Sequence, residues 1–455
     1  MTRIVQLFEA SAAYQVLVLA AAIDAGAFPP ADERVLLVSA NSPVPEVARR
    51  LDDDPLLAPL LPRFDRVVSF NDLIAPLHPK AFRPRAEEVP LFERAFRREL
   101  GIPQDARVEL ALESVHVPPA RTILNVFADA PVTVYAEGLM SYGPTRDPLN
   151  PRMWARIERV LHLDLVEGLA PILLSEHDVP AELVPGDAFR AVVAGLAGPA
   201  KADVEPYALL LGQYLAELGL TTTEREAELY GRCIDAAAAQ GLRRVVYKPH
   251  PSAPPLYAAA LARRAEQRGV AFAVSEETGP AEVLYERERP QLVLGCFSTG
   301  LVTASRFWRI PVAAIGTREV LASLPRIEDS NRVPLALVDL VVPGIGTGDA
   351  PALLPPREPD VATVQRIVRA VAYCMQWRAR GRDRDEVAAD LFELGDAVEA
   401  YVPRARLRRL LLPGGGLGSV SAATFQRLTG VLAGLRERQQ ALLTSLRRRG
   451  APLRG

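Results

Sequence analysis

Lysine is almost missing from this chain: of 53 Lys and Arg residues, only Lys80, Lys201 and Lys248 are lysines. Histidine is nearly as scarce, with five (His78, His116, His162, His177, His250) in 455 residues. A lysine kept two residues from a histidine, as in Lys248-Pro249-His250-Pro251, therefore invites a chemical explanation. The three cysteines, Cys233, Cys296 and Cys374, are odd in number and lack CxxC or CxxH spacing. That excludes a disulfide framework and a structural zinc site, and fits a reducing compartment. No Asp-x-Asp pair is placed to hold a divalent ion, since Asp52-Asp53-Asp54 sits in an early loop. Long apolar runs are missing too. Tyr14–Ala27 contains Asp24 and is too short to span a bilayer, and the opening Met1–Leu7 lacks the apolar core of a secretory signal. A cytoplasmic protein is expected, peripheral at most to the inner face of a membrane. A net charge of −2 gives no global sign of nucleic acid.

What is present is a chain too long for one core, predicting two or three domains. Strand patterns at Arg3–Leu7, Val35–Ser39, Arg66–Ser69, Arg107–Leu112 and Val132–Ala136 alternate with helical ones. The helices are expected at Ala12–Ala25, Glu46–Leu51, Leu91–Leu100, Pro119–Phe127, Arg152–Leu161 and Phe189–Leu196. Such alternation implies a doubly wound, mostly parallel sheet. The Gly- and Pro-bracketed stretch 197–206 reads as a linker, after which the pattern restarts. Strands are expected at Tyr207–Leu211, Arg244–Tyr247, Val270–Val274, Leu292–Gly295 and Pro311–Ile315. Between them lie helices at Thr223–Gln240, Leu256–Arg268, Ala281–Glu286 and Leu301–Phe307, the first with Thr223 as cap and Glu226 closing a capping box. Two Rossmann-like units of this kind facing across a cleft form the α/β architecture called GT-B, whose site lies at the carboxyl ends of the strands. The expected division is 1–200 and 206–360, the two Rossmann-like units; 361–403, helices at Ala362–Arg378 and Asp385–Ala400; and 404–455, a basic tail.

That tail holds eleven arginines against one acid, Glu437, with Leu432, Leu435, Leu442, Leu443 and Leu446 as apolar partners. Two readings stand side by side: a basic amphipathic segment for an anionic membrane surface, or a helix packed on the domains with its arginines solvated. With almost no aromatic residues to interleave, nucleic acid is the weaker fit.

Three short segments fall at strand ends: Tyr135-Ala136-Glu137-Gly138, Lys248-Pro249-His250-Pro251, and Cys296-Phe297-Ser298-Thr299-Gly300. Taken singly, each has an ordinary reading: a turn acid, a proline-shaped turn and a helix N-cap. In this order they resemble the three motifs of bacterial sialyltransferases: an acidic pair with Gly, a His-Pro, and a hydroxyl pair. The closest resemblance is to the bacterial α-2,8-polysialyltransferase-like family, over roughly residues 1–320. It extends to Leu209–Gln213 and Pro280–Leu284. One departure is plain: the acidic pair is here Ala136-Glu137.

The resemblance implies an inverting glycosyltransferase that moves sialic acid, or a related 2-keto sugar acid, from a CMP-activated donor to a glycan hydroxyl. Glu137 would be the base and Gly138 would give the acceptor room. His250 would assist phosphate departure, with Lys248 adding positive potential beside Pro249 and Pro251. Ser298, Thr299, Gly300 and the helix N-terminus behind them would hold the phosphate without a metal or other cofactor. Glu282 resembles the acid that binds the ribose hydroxyls, and Gly212-Gln213 would approach the donor. Two other classes remain open. A nucleotide-sugar 2-epimerase-like GT-B enzyme would carry further acids beside its His motif, and an inactive sugar-nucleotide-binding protein would suit the missing first acid. His116, His162 and His177 show no ligand spacing and read as structural, whereas His78 in its proline-rich loop reads as structural or acceptor-side. Tyr142 and Arg146 read as a solvated loop rather than as contacts to an acidic acceptor.

Overall fold

The computed structural model describes residues 2–42, 44–45, 50–136, 138–250, 253, 256–346, 353–355 and 360–415. Among them are two all-parallel sheets. The first contains β1 (Ile4–Ala10), β2 (Glu33–Val38), β3 (Arg66–Ser69), β4 (Arg107–Leu112), β5 (Val132–Ala136), β6 (Ile157–Leu163) and β7 (Ala181–Val184), in the order β3-β2-β1-β4-β5-β6-β7. The second contains β8 (Ala208–Leu211), β9 (Arg244–Lys248), β10 (Ala271–Val274), β11 (Leu292–Gly295) and β12 (Val312–Ala314), in the order β10-β9-β8-β11-β12. The central strands read as continuous apolar runs because helices cover both faces of each sheet. β5 and β8, for example, are buried at every position.

Each sheet reverses its strand order once, between β1 and β4 and between β8 and β11. Loops leaving the carboxyl ends of such neighbours diverge and leave a crevice. The helix Ala13–Asp24 leaves β1 at the first reversal and is buried at every residue from Gln15 to Ala22. A helix that is apolar all round needs protein on every side. Here it packs on the helix Gly186–Ala197, which in turn packs on Ala281–Arg287 of the second unit. The Arg306–Asp164 ion pair (2.7 Å) crosses the same junction.

The C-terminal helices complete the join. Val361–Gln376 packs on Arg384–Leu394 and on Arg332–Val341. It also reaches back to the first unit, where Gln365 Oε1 accepts from Ala170 N (3.0 Å) and Gln376 Nε2 donates to the Arg146 carbonyl (2.6 Å).

Several expectations need correction. Arg152–Leu161 is not a helix: Pro151–Trp154 forms one short turn, and Ile157–Leu163 is β6. Its residues Val160 to Leu163 are buried between the two helix layers, and this tertiary burial overrides the helix-like spacing of its charges. The edge strand β7 was not anticipated, since three of its four residues are exposed, nor were the helices Thr317–Ser323 and Arg332–Val341. Thr222, not Thr223, caps the helix Thr223–Ala239, its hydroxyl accepting from Arg225 N. The helix expected at Glu46–Leu51 falls largely outside the described residues. At the start of the basic tail, Arg404–Arg409 forms a docked helical turn. Leu407 is fully buried and Arg406 donates to the Cys374 carbonyl and pairs with Glu328. Residues 416–455 lie outside the described set. Among the described residues no helix is long and apolar enough to cross a membrane.

Candidate active site

The carboxyl ends of both sheets open onto one cleft of about 540 Å³, a size suited to a small-molecule substrate. On the second unit, β9 delivers Lys248 and His250 to its wall. Lys248 is 9% exposed, and its Nζ donates to the Glu277 carbonyl (2.6 Å) in the loop after β10. Burial lowers its pKa, opposed by Glu277 and Glu282. The His250 ring lies against Tyr214, with centroids 4.3 Å apart. Burial, then the Lys248 charge, pushes its pKa down to about 4. At neutral pH the ring is uncharged and presents one N–H donor.

Gly212 and Gln213 follow β8. A Cβ at Gly212 would stand 2.6 Å from the Tyr247 hydroxyl, so only glycine lets the strand end pass that ring. Gln213 is held at both ends: Tyr230 Oη accepts from its N–H (2.6 Å), and its Oε1 accepts from Phe297 N (3.0 Å). Behind Tyr230 stands Glu226, which is fully buried. Its carboxyl oxygens accept from Leu215 N (3.0 Å), Ala216 N (2.8 Å), Tyr230 Oη (2.5 Å) and Tyr257 Oη (2.8 Å). Sequence reasoning placed this residue in a capping box. It instead anchors the loop that carries Gln213 and Tyr214.

The helix Thr299–Trp308 begins at the cleft with Ser298 as its cap, the Ser298 hydroxyl accepting from Gly300 N (3.1 Å). Gly300 is close-packed: an added Cβ would meet Leu211 Cδ1 at 2.9 Å. Glu282 is 3% exposed and accepts from Thr303 Oγ1 (2.6 Å). Burial raises its pKa against the opposing influence of Thr303 and Lys248.

The first unit meets this wall directly. Thr299 Oγ1 accepts from Leu139 N (3.4 Å), and a Cβ on Gly138 would stand 2.8 Å from it. Gly138 is therefore glycine because the other unit's hydroxyl lies against it. Ala136 lines the cleft as well. Glu137 and Pro251 lie outside the described residues. All the other anticipated site residues, Lys248, Pro249, His250, Gly212, Gln213, Glu282, Ser298, Thr299 and Gly300, line the one cleft. Among the described residues no group of three or more His, Cys, Asp or Glu side chains is arranged to hold a metal ion.

Sequence reasoning passed over a second cluster, at the reversal point of the first sheet. Glu113 and His116, just beyond β4, line the cleft together with Arg146. Glu9, near the end of β1, is fully enclosed; burial and then the Glu113 charge raise its pKa to about 8. Burial, opposed by Arg146, raises that of Glu113 to about 7. His116 is not a satisfied core histidine: both ring nitrogens are buried without a hydrogen-bond partner among the described residues. Burial, reinforced by Arg146, pushes its pKa to about 4. Tyr142 is core rather than solvated loop, its hydroxyl accepting from Val166 N (3.3 Å). His162 and His177 have the structural roles expected, one on the Leu163 carbonyl and the other stacked on Trp154. The signal that would have found Glu9 and Glu113 was their place at the ends of the two strands flanking the reversal.

Comparison with known proteins gives the chain a family. The Photobacterium damsela sialyltransferase is similar in structure, at 13% identity and a TM-score of 0.39, over 75% of this chain and 79% of that one. The Thermobaculum terrenum O-GlcNAc transferase matches at 15% identity and a TM-score of 0.35, over 88% and 68%. Acinetobacter baumannii MurG matches at 12% and 0.36, over 86% and 99%. Such distant likeness concerns the fold alone, and no curated protein matches the chain in sequence. The family model described as Alpha-2,8-polysialyltransferase (POLYST) matches residues 6–317, which takes in both sheets and all three strand-end motifs. The chain belongs to the alpha-2,8-polysialyltransferase family and is a sialyltransferase-like glycosyltransferase of GT-B fold.

Proposed function

We propose that this protein transfers sialic acid, or a related 2-keto sugar acid, from a CMP-activated donor to a glycan hydroxyl with inversion and without a metal ion. The observation that carries this reading is the meeting of the three motifs in one cleft, with Gly138 against Thr299 and His250 on the same wall. Departure of CMP leaves negative charge on a phosphate oxygen, and the second unit supplies donors for it. His250, neutral at pH 7, offers its N–H, and its proton affinity rises as that charge develops beside it. The Ser298 and Thr299 hydroxyls each accept one backbone N–H, which leaves both O–H groups free to donate. The helix behind them adds the positive end of its dipole. Lys248 spends one of its three N–H bonds on Glu277 and adds charge. Glu282 is the candidate partner for the ribose hydroxyls, and Gln213 approaches the donor. Glu137 removes the acceptor proton from the opposite face, so that a direct displacement inverts the anomeric centre.

A second reading, a nucleotide-sugar 2-epimerase-like enzyme, has one observation in its favour: Glu113 puts a further acid in the cleft that His250 also lines, with the enclosed Glu9 next to it. An inactive sugar-nucleotide-binding protein would fit Ala136. The three separate in one assay. Purified protein is incubated with CMP-sialic acid, with and without lactose or sialyllactose, and CMP release and product are followed. Acceptor-dependent product, insensitive to a chelator, is expected. Donor consumption equal with and without acceptor would favour the epimerase-like reading. CMP binding without turnover would favour the binding protein, and no CMP binding would sink the transfer reading. We further propose that the arginines beyond residue 415 hold the protein at an anionic membrane surface, tested by co-sedimentation with phosphatidylglycerol vesicles before and after truncation at residue 415.

A further inference from the structure

The first sheet changes direction between β1 and β4, and the residues standing there are two carboxylic acids that the three motifs do not include. Glu113 follows β4 and lines the cleft. Glu9 stands behind it, 3% exposed; its Oε1 accepts from Ser39 (3.4 Å) and its carbonyl accepts from Tyr135 Oη (2.5 Å), which ties β1 to β5. β4 and β5 run side by side with Leu112 opposite Val134. Glu113, the first residue beyond β4, and Ala136, the last of β5, thus stand at the carboxyl ends of adjacent strands and line the same cleft. Ala136 is 5% exposed and on the same cleft wall. It puts a methyl group where the acidic-acidic-Gly pattern has its first carboxylate.

We propose that Glu113 supplies, from the neighbouring strand, the carboxylate missing at position 136, and that it accepts a hydrogen bond from a hydroxyl of the acceptor glycan and so orients it for transfer. The inference rests on the transfer reading above and involves no covalent change at Glu113. Three further features support it. Holding two acids in a buried place is unfavourable for an empty fold, and groups so perturbed concentrate where a ligand recovers the loss. His116, three residues on, has two buried ring nitrogens and no partner for either among the described residues, so the same loop offers further unfilled hydrogen-bonding capacity toward a polyhydroxylated ligand. Arg146, exposed in the same cleft, favours the ionised form of Glu113, the form that accepts without donating. The charged and titratable groups acting on this loop are Glu9 from β1, Arg146 and Asp147 from the segment after β5, Arg121 from the helix Ala120–Val126, and His116 itself.

The test is steady-state kinetics with CMP-sialic acid at saturation and sialyllactose or lactose varied. Glu113→Gln should lower kcat/KM for the acceptor by roughly ten- to a hundredfold, while calorimetric binding of CMP stays at the wild-type value and shows that the donor wall is folded. The acidic limb of the acceptor kcat/KM profile, expected near pH 7, should vanish in that variant. Adding Ala136→Asp to Glu113→Gln should restore at least about tenfold, because the carboxylate then returns from β5. Acceptor kinetics within about twofold of wild type in Glu113→Gln, or a loss that Ala136→Asp does not relieve, overturns the proposal while leaving the transfer reading intact. Absence of acceptor-dependent product from the wild-type chain overturns the transfer reading, and this proposal with it.

Discussion

The two walls of the cleft are built on opposite principles. On the second unit the polar side chains are tied into the fold. Lys248 is on a carbonyl, Glu282 on Thr303, Ser298 on its own helix, and Gln213 on Tyr230 and Phe297, with Glu226 behind. On the first unit Glu9 and Glu113 are held against ionisation by burial, and His116 has no partner for either nitrogen among the described residues. A wall whose groups are already fixed suits a ligand of constant shape, such as a nucleotide phosphate, since preorganised donors need no rearrangement when charge develops. A wall with unspent hydrogen-bonding capacity suits a partner that arrives with hydroxyl groups of its own. The asymmetry predicts that damage to one wall shows as loss of stability and donor binding, and damage to the other as altered acceptor kinetics.

The sharpest way to break this contrast is Glu226→Gln. The amide keeps the shape but turns one acceptor oxygen into a donor among four donors. Each hydrogen bond to a charged group contributes about 1.5–3 kcal/mol, so the variant should lose about 3 kcal/mol or more of stability. CMP affinity should fall with it, because the Gln213–Ala216 loop loosens. Urea unfolding and calorimetry measure the two. An unchanged urea midpoint would remove Glu226 as the anchor. Next in size, His250→Ala and Glu137→Ala should each cut turnover about a hundredfold, the range of a general acid–base group. His250→Ala should leave acceptor KM near the wild-type value, and a raised acceptor KM with normal turnover would place His250 on the wrong wall.

Much of the donor wall was legible because its chemistry is local. Lys248-Pro-His250 and Ser298-Thr299-Gly300 sit immediately after short apolar strands, so motif and position are read together. β5 could be taken from five consecutive apolar or β-branched residues for the same reason. The acceptor wall was not legible that way. Glu9 and Glu113 lie far apart in sequence with no motif around them, and they become neighbours only because β1 and β4 pair at the reversal. His116 looked structural since no second ligand stands at a useful spacing, yet the pairing of strands, not spacing, brings it to the cleft. β6 was misread as a helix because its charges recur at helical intervals, while the burial that makes it a strand comes from distant helices. Glu226 was read as a cap from its distance to Thr223, although Leu215, Ala216 and Tyr257 are what give it its role.

A smaller effect tests the electrostatics of the acceptor wall without touching the acceptor. Glu9 has a folded-state pKa near 8 against an ordinary value of 4.5, so the fold favours its protonated form. The stability that this form contributes is fully present below about pH 4.5 and is lost as the pH rises through 8. Glu9→Gln mimics the protonated acid at every pH. Its unfolding midpoint should therefore match wild type at pH 4 and exceed it at pH 8.5, by about 1–3 kcal/mol of stability once structural relaxation blunts the full shift. A variant less stable than wild type at both pH values would mean that Glu9 is held by a partner that needs its charge. The acceptor wall would then be as settled as the donor wall, and the contrast between them would fail.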